Sequence, residues 1–548
     1  MMTKYINKLI CGCLVGCGLA AATACSDWDD HYGDSSTSAS GSNLSLWEEL
    51  KANNQLSDFC EVLEQTKVFR MHKKTSVSYA DLLKGGQSFT VIAPVNGSFD
   101  KDAYLKQVET AQGDSAVEHF FIKNHLLRSV VSVNSDKKRA LMLNQKYAEF
   151  TNSTVNGISI QQSNIHAKNG VIHSIAQPLT YRYSIYEILR DRPEFSLVGR
   201  ELLRYNIEEF DPDLSVSSGI VDGVPIYVDS VTYEYNKILY TIGEIDSQDS
   251  LFWMVAPTNA GWEKAWNEVT QYFVYDSKNV AKADSVQNYW TLRAMLDDAI
   301  FNMTDNLSPS DSLVSVPYVS AAKTQSAYRP VYHKFLTPFM PGGILYNTTA
   351  IECCNGILYQ SNEWPLDIEK AFFHPIWTET MDDDNLLTAK NCVFNSETIV
   401  ADSVSEGNYL YVKATKSTEN WELNFRVKET LSGAYDVCAV ILPESIDPER
   451  EPGKPIRFVA SINYFNEKGD SLTFDCNEGA VFITEHPERI DTVVLAENFK
   501  FPASNYFGPW DYNNRVSVSL KRKVTKANAS KYSQEINLDC IYLRPKKQ

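Results

Sequence analysis

The sequence predicts a multidomain chain of mixed α+β and all-β character. Two related domains that combine helices with buried strands, residues 44–182 and 183–367, are followed by a C-terminal antiparallel β-sandwich, residues 368–548. Three observations predict this. A set of segments recurs in the same order through the first two thirds, and strand-period alternation fills the last third. The length of 548 residues, at 43% hydrophobic and 12% aromatic, suits about three ordinary globular domains.

Residues 1–24 read as an export signal, with Lys4 and Lys8 ahead of an uncharged stretch from Leu9 to Ala24. The stretch is shorter than the ~20 apolar residues a spanning helix needs. Its end, Ala22-Thr23-Ala24-Cys25, resembles a bacterial lipobox, with Ala22 where leucine is usual. That resemblance implies cleavage before Cys25 and lipid attachment there. Ser26-Asp27-Trp28-Asp29-Asp30 resembles the acidic surface-export signal of Bacteroidota lipoproteins, which implies an outer-membrane anchor with the protein facing the cell exterior. The polar remainder of residues 25–43 is a flexible tether.

The formal charge is −18, and a leader holding Lys4, Lys8 and no acid makes the mature chain −20. Nucleic acid is therefore excluded as a partner, and the membrane is reached through the lipid alone. Of 11 cysteines, four lie at or before Cys25, and the other seven are scattered without repeated spacing. They read as small buried residues and not as disulfides or a zinc knuckle. No metal or cofactor is expected: Asp382-Asp383-Asp384 reads as a solvated acidic turn. Nucleophile-elbow, zincin, phosphate-loop and dinucleotide signatures are missing, so the chain is expected not to be an enzyme.

Ser45-Leu46-Trp47-Glu48 and Ser184-Ile185-Tyr186-Glu187 are capping boxes that start helices. Phe89 to Asn96 and Phe252 to Asn259 are buried strands closed by Pro94 and Pro257, with Asn96 and Asn259 placed to cap a following helix. Asn169-Gly170-Val171-Ile172-His173 and Asn355-Gly356-Ile357-Leu358-Tyr359 are turns entering strands. Ser45 and Ser184 are 139 residues apart, Ala93 and Ala256 163, and Asn169 and Asn355 186. The second copy thus holds about 24 and then 23 extra residues, expected as surface insertions within 210–249 and 272–329.

These residues resemble the fasciclin (FAS1) domain. Its first motif matches Thr90 to Phe99 with Thr90, Pro94 and Asn96, and its second matches Asn169 to Ile175 with Gly170 and His173. The pair Asn124-His125 stands where the family has Tyr-His or Asn-His. The second copy keeps Pro257, Asn259, Asn355 and Gly356, but Tyr359 replaces the motif histidine and His125 has no evident counterpart, so it is divergent. The resemblance implies a β-sandwich wedge with helices and roles in extracellular adhesion and binding. His125 and His173, beside apolar neighbours, read as hydrogen-bonded core residues, and the other motif positions as structural.

In the last third, Trp421, Leu423, Phe425 and Val427 alternate with polar residues, as do Val516, Val518 and Leu520, and then Ile536, Leu538 and Cys540. Each pattern describes a strand with one buried and one wet face. The final strand looks like that of a carbohydrate-binding jelly roll. The segment Asn505 to Asn514 gathers Tyr506, Phe507, Trp510 and Tyr512 with Asp511 and Asn513, the mixture of flat rings and hydroxyl-binding groups that suits a sugar. A loop that folds its own rings back onto the sandwich satisfies the same composition. The expected function is a surface lipoprotein that binds glycan or a partner surface protein, accessory to polysaccharide uptake. The alternative is a structural adhesin attaching the cell to matrix or to other cells through the fasciclin pair. Exposed rings in 505–514 favour the first and buried rings the second.

Overall fold

The computed structural model describes residues 43–547 except 71–72, 222–223, 303–310, 317–332, 400–402, 448, 452 and 508–514, and only the backbone within 211–233. The signal, Cys25 and all of the tether before residue 43 lie outside the described residues. The chain divides into two compact units, Met1–Tyr181 and Arg182–Gln548.

In the first unit the capping box at Ser45 forms as expected: Glu48 N–H donates to Ser45 Oγ (3.3 Å) and Ser45 N–H donates to Glu48 Oε2 (2.7 Å), opening the helix Leu46–Ala52. A second helix, Ser57–Gln65, packs beside it. The fully buried strand Phe89–Pro94 runs parallel to Gly170–Ile175, in register from Phe89↔Gly170 to Pro94↔Ile175. This pair lies within a seven-stranded sheet, flanked by Leu126–Leu127 on one side and the meander from Lys138 to Ala167 on the other. Leu46, Leu50, Phe59, Val91 and Phe121 fill one apolar cluster, and Ile92, Phe150 and Ile175 a second.

The second unit opens on the same devices. Ser184 and Glu187 make a capping box before the helix Ile185–Asp191, and Ser196–Leu203 follows. Phe252–Pro257 runs parallel to Gly356–Ser361, in register from Phe252↔Gly356 to Pro257↔Ser361, the register of the first unit residue for residue. The first insertion is an elongated hairpin: Asn206–Val221 and Val224–Asn236, of 16 and 13 residues, stand where the first unit has Lys67–Arg70 and Lys73–Ser78, of 4 and 6. The region of the second insertion holds the helix Ala283–Leu296.

Residues beyond about 372 build a sandwich of two antiparallel sheets. One orders Cys392–Thr398, Asn408–Ala414, Glu535–Lys546, Ala434–Leu442 and Asp491–Lys500, with Ile376–Glu379 also on Glu535–Lys546. The other orders Leu386–Lys390, Glu422–Arg426, Ser517–Arg522, Arg457–Phe465 and Ser471–Asp475. Leu423, Phe425, Val518 and Leu520 from the second sheet share an apolar core with Leu410, Val412, Leu538 and Leu543 from the first. That core is continuous with the one beneath Phe252–Pro257, through rings such as Tyr272 and Phe373 (centroids 4.7 Å apart). The last strand departs from the expected half-wet pattern, because Asn537 and Asp539 on its polar face are buried. Asp539 is covered by a loop whose Ser405 N–H donates to its Oδ1 (3.1 Å) and whose Val404 packs with Tyr409 and Leu442, and the Asn537 amide donates to Pro443 O (3.1 Å).

Candidate binding surfaces

The motif residues are brought together, and they act on backbone. Asn169 Oδ1 accepts from Leu46 N–H (2.7 Å) while its amide donates to the carbonyls of Leu83, Gly85 and Gln87 (3.0, 2.8 and 3.3 Å). Asn355 repeats this on Ile185 N–H (2.9 Å) and the carbonyls of Ile245 and Ser247 (2.6 and 2.8 Å). Each asparagine therefore ties the first helix of its unit to the entry of the parallel strand pair. Beside them Gly170 and Gly356 sit at φ +149° and +137°, where the neighbouring strand passes too close for a side chain. Thr90 Oγ1 donates to Ser129 O (2.6 Å) and accepts from Val131 N–H (2.8 Å).

Asn96 and Asn259 do not cap the helix that follows them. Asn96 Oδ1 accepts from Asp58 N–H (2.9 Å) and its amide donates to Asn54 O and Ser57 Oγ; Asn259 does the same with Leu197 N–H (3.0 Å), Pro193 O and Ser196 Oγ. The orphan donors they satisfy belong to Ser57–Gln65 and Ser196–Leu203, far back in the chain. Both of those helices lack a side-chain cap at their own N-cap residue. Pro94 and Pro257 end their strands opposite Ile175 and Ser361.

His125 is fully buried with both ring nitrogens engaged: Nδ1–H donates to Phe121 O (2.7 Å) and Nε2 accepts from Leu179 N–H (2.9 Å). His173 is held likewise, with Nε2–H on Val131 O (2.8 Å) and Nδ1 accepting from Asn164 N–H (3.2 Å). Neither ring presents a nitrogen to a ligand. Burial pushes the His125 imidazole down to about 4, and His173 also downward. Below the unfolded value near 6.5 the unfolded chain takes up a proton that the folded one refuses, so stability falls as pH drops from about 6.5 to about 4. For His125 the loss is on the order of 3 kcal/mol. Its ring carbons in the full chain are expected to show no titration above about pH 5 by NMR; titration near 6.5 would contradict this geometry.

In the second unit the strand registers put Ala299 in the place of His125 and Asp298 in that of Asn124. Asp298 is buried and holds Ser315 Oγ (3.0 Å) and His333 Nδ1 (2.5 Å). Tyr359 stands opposite Val255 as His173 stands opposite Ile92, and its ring packs edge-on against Trp253 (5.5 Å).

The predicted sugar loop is corrected in its first residue. Tyr506 is 1% exposed, its ring set edge-on to Trp290 (4.6 Å) and its carbonyl accepting from Tyr275 Oη. The ring is drawn inward because it fills the space between helix Ala283–Leu296 and the sandwich. Phe507 is half-buried against Tyr275 (5.1 Å). Trp510, Asp511, Tyr512 and Asn513 lie outside the described residues.

An aromatic surface that sequence reasoning missed lies on the outer face of the first sheet. Trp377 pairs across strands with Tyr542, the rings overlapping at 4.1 Å and 31°, and Trp377 remains 47% exposed. Two residues along the same face, Arg544 and Lys546 grip the buried Asp436 (Nη2 2.5 Å, Nζ 2.8 Å), which also accepts from Asn498 N–H (3.0 Å). Burial pushes the Asp436 carboxyl up, but Lys546, Asn498 N–H and Arg544 outweigh it and hold it down at about 2. The signal in the sequence was the alternation of Ile376, Trp377 and Thr378, too short to read as a strand. A second concavity of about 440 Å³ lies between helix Asn259–Val269 and residues 362–368, with Trp364, Lys264, Glu268 and Lys547 in its wall. Among the described residues no group of three or more His, Cys, Asp or Glu is poised for a metal, and no helix is long and apolar enough to cross a membrane.

No curated protein sequence matches the chain. Among solved structures it is similar to a FAS1 domain pair from the insect cell adhesion molecule Fasciclin I, at 13% identity over 52% of this chain and 90% of that one, with a TM-score of 0.20. It is also similar to the CBM22-1 xylan-binding domain of Paenibacillus barcinonensis Xyn10C, at 10% identity over 32% of this chain and 94% of that one, with a TM-score of 0.20. A xylan-binding domain of family CBM 22 gives 9% identity over 32% and 94%, with a TM-score of 0.19. Residues 55–181, which carry Asn96, His125, Asn169 and His173 in the geometry described, match the family model of the Fasciclin domain.

Proposed function

We propose that the chain is a cell-surface lipoprotein, anchored at Cys25 and displayed on the outer membrane, that binds a glycan or a partner surface protein beside a polysaccharide-uptake system and catalyses no reaction. The observation that carries the glycan reading is Trp377. A large flat ring left 47% exposed on a rigid sheet, backed by the Tyr542 ring, offers the apolar surface that the C–H face of a pyranose covers. Arg544 and Lys546 on the same face, and Glu379 two residues on, supply hydrogen-bonding groups for sugar hydroxyls. Trp377→Ala is expected to weaken glycan retention about five- to thirtyfold, since an exposed stacking ring contributes on the order of 1–2 kcal/mol, and to leave the melting temperature unchanged. Equal retention by wild type and variant on a glycan array removes the reading. Cys25→Ala is expected to release the protein from membranes.

The adhesin reading has its own support in the Fasciclin domain at 55–181 and in the inward-turned Tyr506. It predicts attachment to matrix that survives Trp377→Ala, measured as adhesion of cells carrying the variant.

A further inference from the structure

The strand Glu535–Lys546 leads from the Trp377 ring toward a hollow. Tyr542 backs that ring, and Arg544 and Lys546 follow at every second residue on the same face, reaching solvent while they hold Asp436. The next residue, Lys547, stands in the wall of the concavity of about 440 Å³. Strand backbone rises about 3.4 Å per residue, which puts roughly 17 Å between Tyr542 and that wall.

The hollow is built from three segments of the unit Arg182–Gln548. Helix Asn259–Val269 lines it with the small residues Ala260, Gly261 and Ala265, and lies so close to the chain after Ser361 that a β-carbon at Gly261 would fall 2.4 Å from Asn362 O. Trp364 is half-buried beside them, its ring fixed by an indole N–H that donates to Met295 O (3.1 Å). From the sandwich, Lys547 Nζ comes to 3.6 Å from Asp367 Oδ1 and 3.7 Å from Glu369 Oε1. The volume lies in the range of roughly 300–1,000 Å³ that small-ligand sites occupy, and such sites concentrate where domains meet.

Polar groups around the hollow lack partners of their own. Lys264 and Glu268 are one turn apart on the helix, yet neither their side chains nor that of Glu363 make an ion pair or hydrogen bond among the described residues. With Asp367, Lys547 and Asn362 they set ammonium and amide donors among carboxylate acceptors, beside one flat ring. Both signs of charge in one wall oppose a polyanion and a polycation alike, and among the described residues no group of His, Cys, Asp or Glu is poised for a metal. Pyranose hydroxyls, each donor and acceptor, match that mixed wall, and the apolar C–H face of the sugar matches Trp364.

We propose that the concavity is the far end of an extended glycan-binding path that begins at Trp377 and follows Arg544 and Lys546, so that the ligand is a chain of several linked pyranoses and not a single sugar. This rests on the glycan reading above. Trp377 holds one sugar of the chain, and Lys264, Glu268 and Trp364 receive another some units away. Two contacts joined by one chain strengthen each other, because binding at the first makes the second intramolecular.

The test is calorimetric titration of the full-length chain with disaccharides, tetrasaccharides and hexasaccharides of the cello-, xylo-, manno- and malto- series. Wild type is compared with Trp377→Ala, with Lys264→Ala combined with Glu268→Ala, and with Ala260→Trp, which fills the concavity from an exposed helix position. In the series that binds, wild type is expected to gain at least about tenfold in affinity from disaccharide to hexasaccharide. Both concavity variants are expected to lose that gain while melting as wild type does, and Trp377→Ala to weaken every length. A gain that survives in both concavity variants overturns the far contact and leaves Trp377 standing. Wild-type affinity that does not change with chain length overturns the extended path. A lowered melting temperature in both concavity variants assigns those side chains to the fold and overturns it too. Wild type that binds no series overturns the glycan reading itself, and the path with it.

Discussion

Gly356→Ala is expected to unfold the unit Arg182–Gln548, and Gly170→Ala the unit Met1–Tyr181. A β-carbon built at Gly356 falls 1.7 Å from Phe252 O, and one at Gly170 falls 1.9 Å from Phe89 O. Both obstacles are backbone of the strand paired in parallel, so no rotamer change relieves them. Both glycines also sit at φ +137° to +149°, a region that L-residues rarely enter. The strands must separate at the first rung of the parallel pair, and that rung lies next to the asparagine that holds the first helix. The expected loss exceeds about 4–5 kcal/mol, comparable with the whole stability of a marginal domain. Circular dichroism and urea unfolding check it. Gly86→Ala, where the added carbon meets nothing within 4 Å, is the control expected to behave as wild type. Melting of Gly356→Ala within 2 °C of wild type would refute the close approach.

What was legible in the sequence follows from where the physics is local. Capping boxes at Ser45 and Ser184 need residues three apart, and Asn169-Gly170 and Asn355-Gly356 are fixed by one turn, so the two copies could be matched from the sequence, while the parallel pairing of their strands is seen only in the structure. The insertion expected within 210–249 is the lengthened hairpin Asn206–Asn236. What was not legible depends on partners distant in sequence. Asn96 and Asn259 look like caps for the next helix, yet their amides serve helices that begin 39 and 63 residues earlier, at Ser57 and Ser196. Asn537 and Asp539 look wet until Pro443 O takes up the first and the loop through Ser405 covers the second. In the candidate sites the composition of 505–514 suggested a sugar-binding loop. It could not show that Tyr506 turns inward to Trp290, nor that Trp377 is left exposed on its sheet by a four-residue strand.

Asn169→Ala and Asn355→Ala are expected to destabilise their units by about 3–5 kcal/mol each, with Asn→Asp worse at both positions. The alanine cost has two parts. Leu46 or Ile185 N–H loses its acceptor, and two or three buried carbonyls lose their donor, at about 1–3 kcal/mol for each group left unmet and somewhat less where water enters. Aspartate keeps the shape and the Oδ1 acceptor but replaces the amide donor with an oxygen that faces those same carbonyls. It can avoid the repulsion only by holding a proton, so near neutral pH its cost includes either a buried charge or the work of protonation. The order wild type, alanine, aspartate is therefore expected from urea midpoints at about pH 7, and the gap between alanine and aspartate should narrow toward pH 4, where the carboxyl is protonated without penalty. Equal costs at Asn169 and Asn355 would show that the two units rest on the same joint. A tolerated Asn355→Asp would mean that the second unit, with fewer carbonyls around its amide, no longer relies on it.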